Sequence, residues 1–153
     1  LLHESFPRGS DMRADLKTWH FMLGLSVLAL VIIRIVTRLF TTKPPIKPEP
    51  PAWQMLLAKV THLSLYAFML AMPLLGWLIL SSADATIPFY GLELPALVGP
   101  DKALAEQIEE VHETIGTIGY FLIGLHALAA LFHHYVVKDN TLRRMLPGKR
   151  SAR

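Results

Sequence analysis

The sequence predicts an all-α integral membrane protein, a bundle of transmembrane helices, and three observations predict it. Of its 153 residues, 52% are hydrophobic and only 18% are charged, against about 25% charged in ordinary soluble domains. Three runs are long and apolar enough to cross a bilayer core, which is about 30 Å thick and takes roughly 20 residues at 1.5 Å each. Between the runs lie proline-rich stretches that cannot continue a helix. The absence of cysteine excludes disulfides, thiolate metal sites, iron–sulfur clusters and thioether-attached haem. The net charge of +3 implies no nucleic-acid partner, because the cations sit at the ends of apolar runs and form no basic stripe.

The first span covers about residues 18–40 and contains HFMLGLSVLALVIIRIV. The tract KPPIKPEPPAW follows, and its prolines predict a stiff extended linker. The second span, about residues 54–80, contains Pro73, which should kink it; membrane helices tolerate this. Residues 81–110 form the longer connection, and Pro88, Gly91, Pro95, Gly99 and Pro100 punctuate its first part into turns. At Asp101 a helix pattern starts, with Asp101 as N-cap, and leads into the third span at about residues 108–137.

Lysine and arginine set the expected orientation. Arg34, Arg38, Lys43, Lys47 and Lys59 flank the linker, and Lys138, Arg143, Arg144, Lys149, Arg150 and Arg153 follow the third span. The opposite side has only Arg8, Arg13, Lys17 and Lys102. The linker and the C-terminus are therefore expected in the cytoplasm, and residues 1–17 and 81–110 outside. An outer N-terminus with no secretion signal, beginning Leu-Leu, leads us to expect an upstream span. On that expectation, residues 1–153 are one transmembrane domain holding three helices of a four-helix parent, with both ends of the parent cytoplasmic.

Four histidines lie within the spans or at their edges: His20, His62, His112 and His126. Ionisable groups at that depth are rare and face a partner. His112 and His126 are fourteen residues apart, so they fall within about 40° of one another and about 21 Å apart along the axis. Gly116, Gly119 and Ile123 share their face. The glycines allow either close helix packing or a flat bulky group against the backbone, and the bracketing histidines favour the second. In the first span, Gly24 lies one turn below His20 and Arg34 lies fourteen residues on, on roughly the same face. His20 and His112 stand at one depth on different helices, where two imidazoles can ligate one haem iron. Arg34 is placed to pair with a haem propionate or to snorkel to the cytoplasmic interface. His126 takes its partner either from His62, at similar depth, or from the upstream helix.

The remaining candidates read as structural. His3 is a solvated loop residue, and His133 and His134 pack at the cytoplasmic boundary beside Tyr135. Trp19, Trp53 and Trp77 are interface anchors. Met69 and Met72 fill space.

The stretch GYFLIGLHALAALFHHYVVKDNTLRRMLPGKR resembles the C-terminal end of the bacterial cytochrome b561 family. FPR before the first span, IRIVTR at its end, PPIKPEPP in the linker and HLSLYAFMLAMPLLG in the second span agree with the same family. Together they cover nearly the whole chain. The resemblance is closest to family members that oxidise superoxide on the outer side and reduce ubiquinone. It implies a four-helix, multi-pass bundle in the bacterial inner membrane, holding two haems b. Carried over by residue, His20 and His112 match the ligands of the outward haem, and His126 matches one ligand of the cytoplasmic haem. The family partner of His126 stands on a first helix, and His62 matches a recurrent histidine that is not an axial ligand.

These expectations combine into one reading. The protein is a b-type cytochrome that takes single electrons from an outer donor, superoxide or a periplasmic redox partner. It passes them to the quinone pool near the other end, where His62 or Arg34 lines the quinone pocket. No catalytic residue is assigned beyond the ligands. The segment 81–111 carries six acids against one lysine, a field that repels an anion such as superoxide; Lys17 or Lys102 is then the local entry point. The competing reading is a haem-bearing subunit of a partner dehydrogenase or hydrogenase, docked on that acidic loop. A histidine-lined metal transporter is disfavoured, because no Asp or Glu lies deep in any span.

Overall fold

The computed structural model describes residues 11–41 and 46–142. Helix α1 spans Asp11–Leu39, α2 spans Ala52–Ser82 and α3 spans Lys102–Phe132, closing in a π-helical turn, His133–Val137. At 29, 31 and 31 residues each α-helix exceeds the roughly 20 residues that a bilayer core requires. All begin earlier than the apolar windows, because polar turns extend each helix before it turns hydrophobic. The N-cap at Asp101 forms as expected: its Oδ1 accepts from the Leu104 N–H at 3.0 Å. Helix α2 starts directly after Pro51 and runs without a break through Pro73, which is buried.

Both α1 and α3 pack on α2, the central element. Very little of the spans is covered by protein. Only 17%, 11% and 6% of their most apolar windows is buried inside the molecule, and Phe121 and Leu63 are 76% and 72% exposed. An apolar surface this continuous would aggregate in water, so its solvent is lipid. The three helices are long and apolar enough to make a multi-pass membrane protein.

One end of the bundle, the hairpin end, carries structure the sequence did not disclose. A two-stranded antiparallel hairpin forms there, β1 at Pro88–Phe89 and β2 at Leu92–Glu93. Its two-residue loop puts Tyr90 at φ 49° and Gly91 at φ 87°, the paired positive values of a type I′ turn. Ile87 buries beside Leu25 and Leu80, with Phe21, Trp77, Phe89 and Leu94 packed around them. Polar bonds complete the cap. The Trp77 indole donates to the Pro95 carbonyl at 3.0 Å, the Leu97 N–H donates to Ser81 Oγ at 3.0 Å, and the Tyr90 and Ser26 hydroxyls share a bond of 3.0 Å. The opposite end, the linker end, joins α1 to α2. There the Lys47 N–H donates to Asn140 Oδ1 at 3.0 Å, and the Asn140 N–H returns to the Lys47 carbonyl at 3.3 Å.

Candidate functional site

Helical periodicity places the histidines on faces, and α2 decides which faces meet. At the hairpin end, His20 of α1 and His112 of α3 stand edge to face, ring centroids 6.1 Å apart and planes at 77°. Two metal–imidazole bonds of about 2 Å each, plus the reach from ring nitrogen to ring centre, put a pair of axial imidazoles roughly 6 Å apart. The separation therefore matches what a shared iron needs. His112 is half-buried, and its Nδ1 is buried with no hydrogen-bond partner among the described residues. Such a nitrogen costs stability unless a ligand or donor reaches it. Gly24, one turn below His20, has nothing within 4 Å of where a Cβ would stand, whereas Gly76 of α2 lies against His112, its would-be Cβ 3.7 Å from Cε1. The donor set, the orphaned nitrogen and the open backbone beside His20 fit a haem held by this pair. Gly76 was not anticipated, since its role depends on α2 facing α3.

At the linker end, His62 of α2 and His126 of α3 meet, centroids 5.6 Å apart and planes at 71°. The sequence left two partners open for His126, and His62 is the one that touches it. Among the described residues no three His, Asp or Glu side chains gather as a metal site. The four imidazoles meet in two pairs, one toward each end of the bundle.

The expectation that Gly116 and Gly119 leave a slot between the pairs is corrected. A Cβ on Gly119 would collide with the Phe68 ring, and one on Gly116 would meet Met72 Cε at 3.4 Å. Close packing is the role of these glycines, as small residues allow where membrane helices approach, and the space belongs to side chains of α2.

Arg34, expected to pair with a haem propionate or to snorkel to the interface, is exposed and bonded to α2. Its Nε donates to the Tyr66 hydroxyl at 3.2 Å, and Arg38 Nη1 donates to the same oxygen at 3.0 Å. Arg34 and Arg38 are four residues apart, so one face of α1 presents both. Only the packing of α1 on α2 brings them to Tyr66.

His133 bonds through Nδ1 to Asp139 Oδ2 at 2.6 Å. Burial of the Asp139 carboxylate opposes its ionisation, but the Thr141 N–H and the His133 ring outweigh this and hold its pKa below the usual value. His134 and Tyr135 meet edge to face, ring centroids 4.7 Å apart. Lys102 lies 3.8 Å from Glu106, which offsets the charge of one expected anion entry point. His3, Arg8, Lys43 and the basic residues from Arg143 onward lie outside the described residues.

Comparison with known proteins gives a consistent answer. Residues 1–148 match the family model described as prokaryotic cytochrome b561. The chain is 41% identical over 145 residues to cytochrome b561 homolog 1 of Escherichia coli (strain K12), an alignment covering 95% of this chain and 82% of that protein. It is 41% identical over 135 residues to a Yersinia pestis protein named probable superoxide oxidase CybB, covering 88% of this chain and 77% of that one. Cytochrome b561 homolog 2 of the same E. coli strain is 30% identical over 134 residues, covering 87% and 71%.

Proposed function

The chain belongs to the prokaryotic cytochrome b561 family, and from that premise we propose that it carries single electrons through the bacterial inner membrane from an outer-side donor to quinone. Membership supports the general role, electron transfer by a membrane b-type cytochrome with oxidoreductase character. The observation that carries the finer reading is the His20–His112 pair, two imidazoles from separate helices at 6.1 Å. These two residues hold the haem at the hairpin end, and His126 supplies one ligand at the linker end. Haem b held by these imidazoles would supply reversible one-electron chemistry.

The chain's own residues do the rest. Ile87, Trp77 and Phe89 close the hairpin end over Leu25 and Leu80. The hairpin end faces the periplasm and the linker end the cytoplasm, by the excess of Lys and Arg at the latter. Each superoxide oxidised at the outer end releases dioxygen and one electron. A quinone takes two electrons and two protons to become the quinol. Quinone approaches the linker end from lipid, where the His62 ring stands against His126.

The exposed acids of the hairpin-end loop favour one second reading, in which a soluble redox partner docks there and supplies the electrons. A reduced-minus-oxidised spectrum of the full-length membrane protein, with haem counted per polypeptide, tests the assignment. His112→Ala should remove the haem of the hairpin end. Unchanged haem content in that variant would overturn the ligand assignment. Superoxide and ubiquinone added to the same sample separate the oxidase from the partner subunit, since only the oxidase makes quinol alone.

A further inference from the structure

The linker end holds a polar cluster to which the proposed function assigns no role. Arg34 and Arg38 both donate to the single phenol oxygen of Tyr66, at 3.2 and 3.0 Å. A guanidinium has five N–H donors in a planar fork, and each arginine spends one here. Among the described residues neither has a carboxylate within ion-pair distance; the ion pairs there are Lys102–Glu106 and His133–Asp139. Two like charges drawn to one neutral acceptor leave a concentrated positive field with unspent donors. The cluster also sits at a defined depth. Arg34 and Arg38 occupy the last two turns of α1, which ends at Leu39. The helix just before them, toward the hairpin end, exposes Leu30 (64%) and Ile33 (58%) to lipid. Forked cations at the edge of a lipid-facing apolar surface meet headgroup phosphates.

We propose that Arg34, Arg38 and Tyr66 form a binding site for the phosphate of an anionic membrane lipid, seated on the α1–α2 seam. Tyr66 orients the two guanidiniums and leaves their outer N–H groups toward the headgroup. The site does not depend on where quinone binds.

The full chain in phosphatidylcholine nanodiscs doped with phosphatidylglycerol tests it, with retained lipid counted by native mass spectrometry. The wild type should retain phosphatidylglycerol over phosphatidylcholine. Each arginine near the surface contributes about fivefold to such binding, so Arg34→Gln with Arg38→Gln should lower the preference roughly thirtyfold. Arg34→Lys with Arg38→Lys keeps the charge and should keep much of the preference, which guards against a misfolded glutamine pair. Tyr66→Phe removes the shared anchor of the two guanidiniums and should lower the preference, though less than the glutamine pair does, and Lys102→Gln, at the far end, should leave it unchanged. Equal phosphatidylglycerol retention by the wild type and the glutamine pair would overturn the site. So would an unchanged lipid preference accompanied by a shifted haem spectrum, which would reassign the arginines to a haem carboxylate. Capture of inorganic phosphate by the protein in pure phosphatidylcholine discs, with no preference for phosphatidylglycerol, would overturn the headgroup assignment.

Discussion

An imidazole inside a membrane has a donor and an acceptor that lipid cannot satisfy, so its neighbour states what it is for. His62 and His126 touch at 5.6 Å, closer than His20 and His112, yet contact alone does not make two rings a ligand pair. The proposed ligand set gives the iron to His126 and not to His62. His62→Ala should therefore keep the haem content of the parent and shift the spectrum of the linker-end haem, while His126→Ala loses that haem. Haem counted per polypeptide in the two variants checks this; equal losses would make His62 a ligand. The relations most directly read from sequence were those within one helix. The fourteen-residue spacing of His112 and His126 needs only the helical period. Equal depth also paired His20 with His112 across helices, but contacts set by rotation were not legible: Gly119 meets Phe68, and Tyr66 collects two arginines, only because α2 is rotated as it is. Distance along the chain hides such contacts, and no local propensity encodes them.

At the scale of elements, three helices were legible because a bilayer demands long apolar runs. The hairpin was not, since its strands are two residues each and Tyr-Gly is a weaker turn signal than Asn-Gly. The KDN segment after the π-helical turn is a similar case. Its residues form a latch on the linker, with Asn140 bonded both ways to the Lys47 backbone and Asp139 holding His133 and the Thr141 N–H. The folded pKa of Asp139 is depressed, so its contribution is fully present above the unfolded carboxylate value of about 3.9. That contribution fades as pH falls through the lower folded value. The latch should be insensitive to pH from about 5 upward and should loosen only in strong acid. Asp139→Asn should loosen it at neutral pH. The loss of a charge-assisted bond of about 1.5 kcal/mol would speed hydrogen exchange at the Lys47 and Asn140 amides roughly tenfold. Unchanged exchange would mean that the Asn140–Lys47 bonds hold the linker without Asp139.

For the whole molecule, charge is sorted by end. Cations crowd the linker and C-terminus, while Asp84, Glu93, Asp101, Glu106, Glu109 and Glu110 are all exposed at the hairpin end. That asymmetry is the basis of the proposed orientation, and by the same physics it would govern which donor arrives. A negative field slows an anion and speeds a cation, and both effects shrink as the screening length falls from about 30 Å at 0.01 M salt to about 10 Å at 0.1 M. Electron delivery by superoxide to the reconstituted protein should therefore rise with ionic strength over that range. Delivery by a small cationic reductant should fall. Glu109→Gln with Glu110→Gln should flatten both dependences without altering haem content, because neither side chain is placed among the ligands. Stopped-flow reduction at the two salt concentrations measures all four rates. A superoxide rate that falls with salt in the parent protein would mean that a local cation such as Lys17 outweighs the loop. The anion would then have a guided entry, and the acidic surface would need another reason to exist. If the dependence has the expected sign, superoxide reaches its site against the field. A basic soluble donor would then be the partner for which this end of the molecule is electrostatically suited.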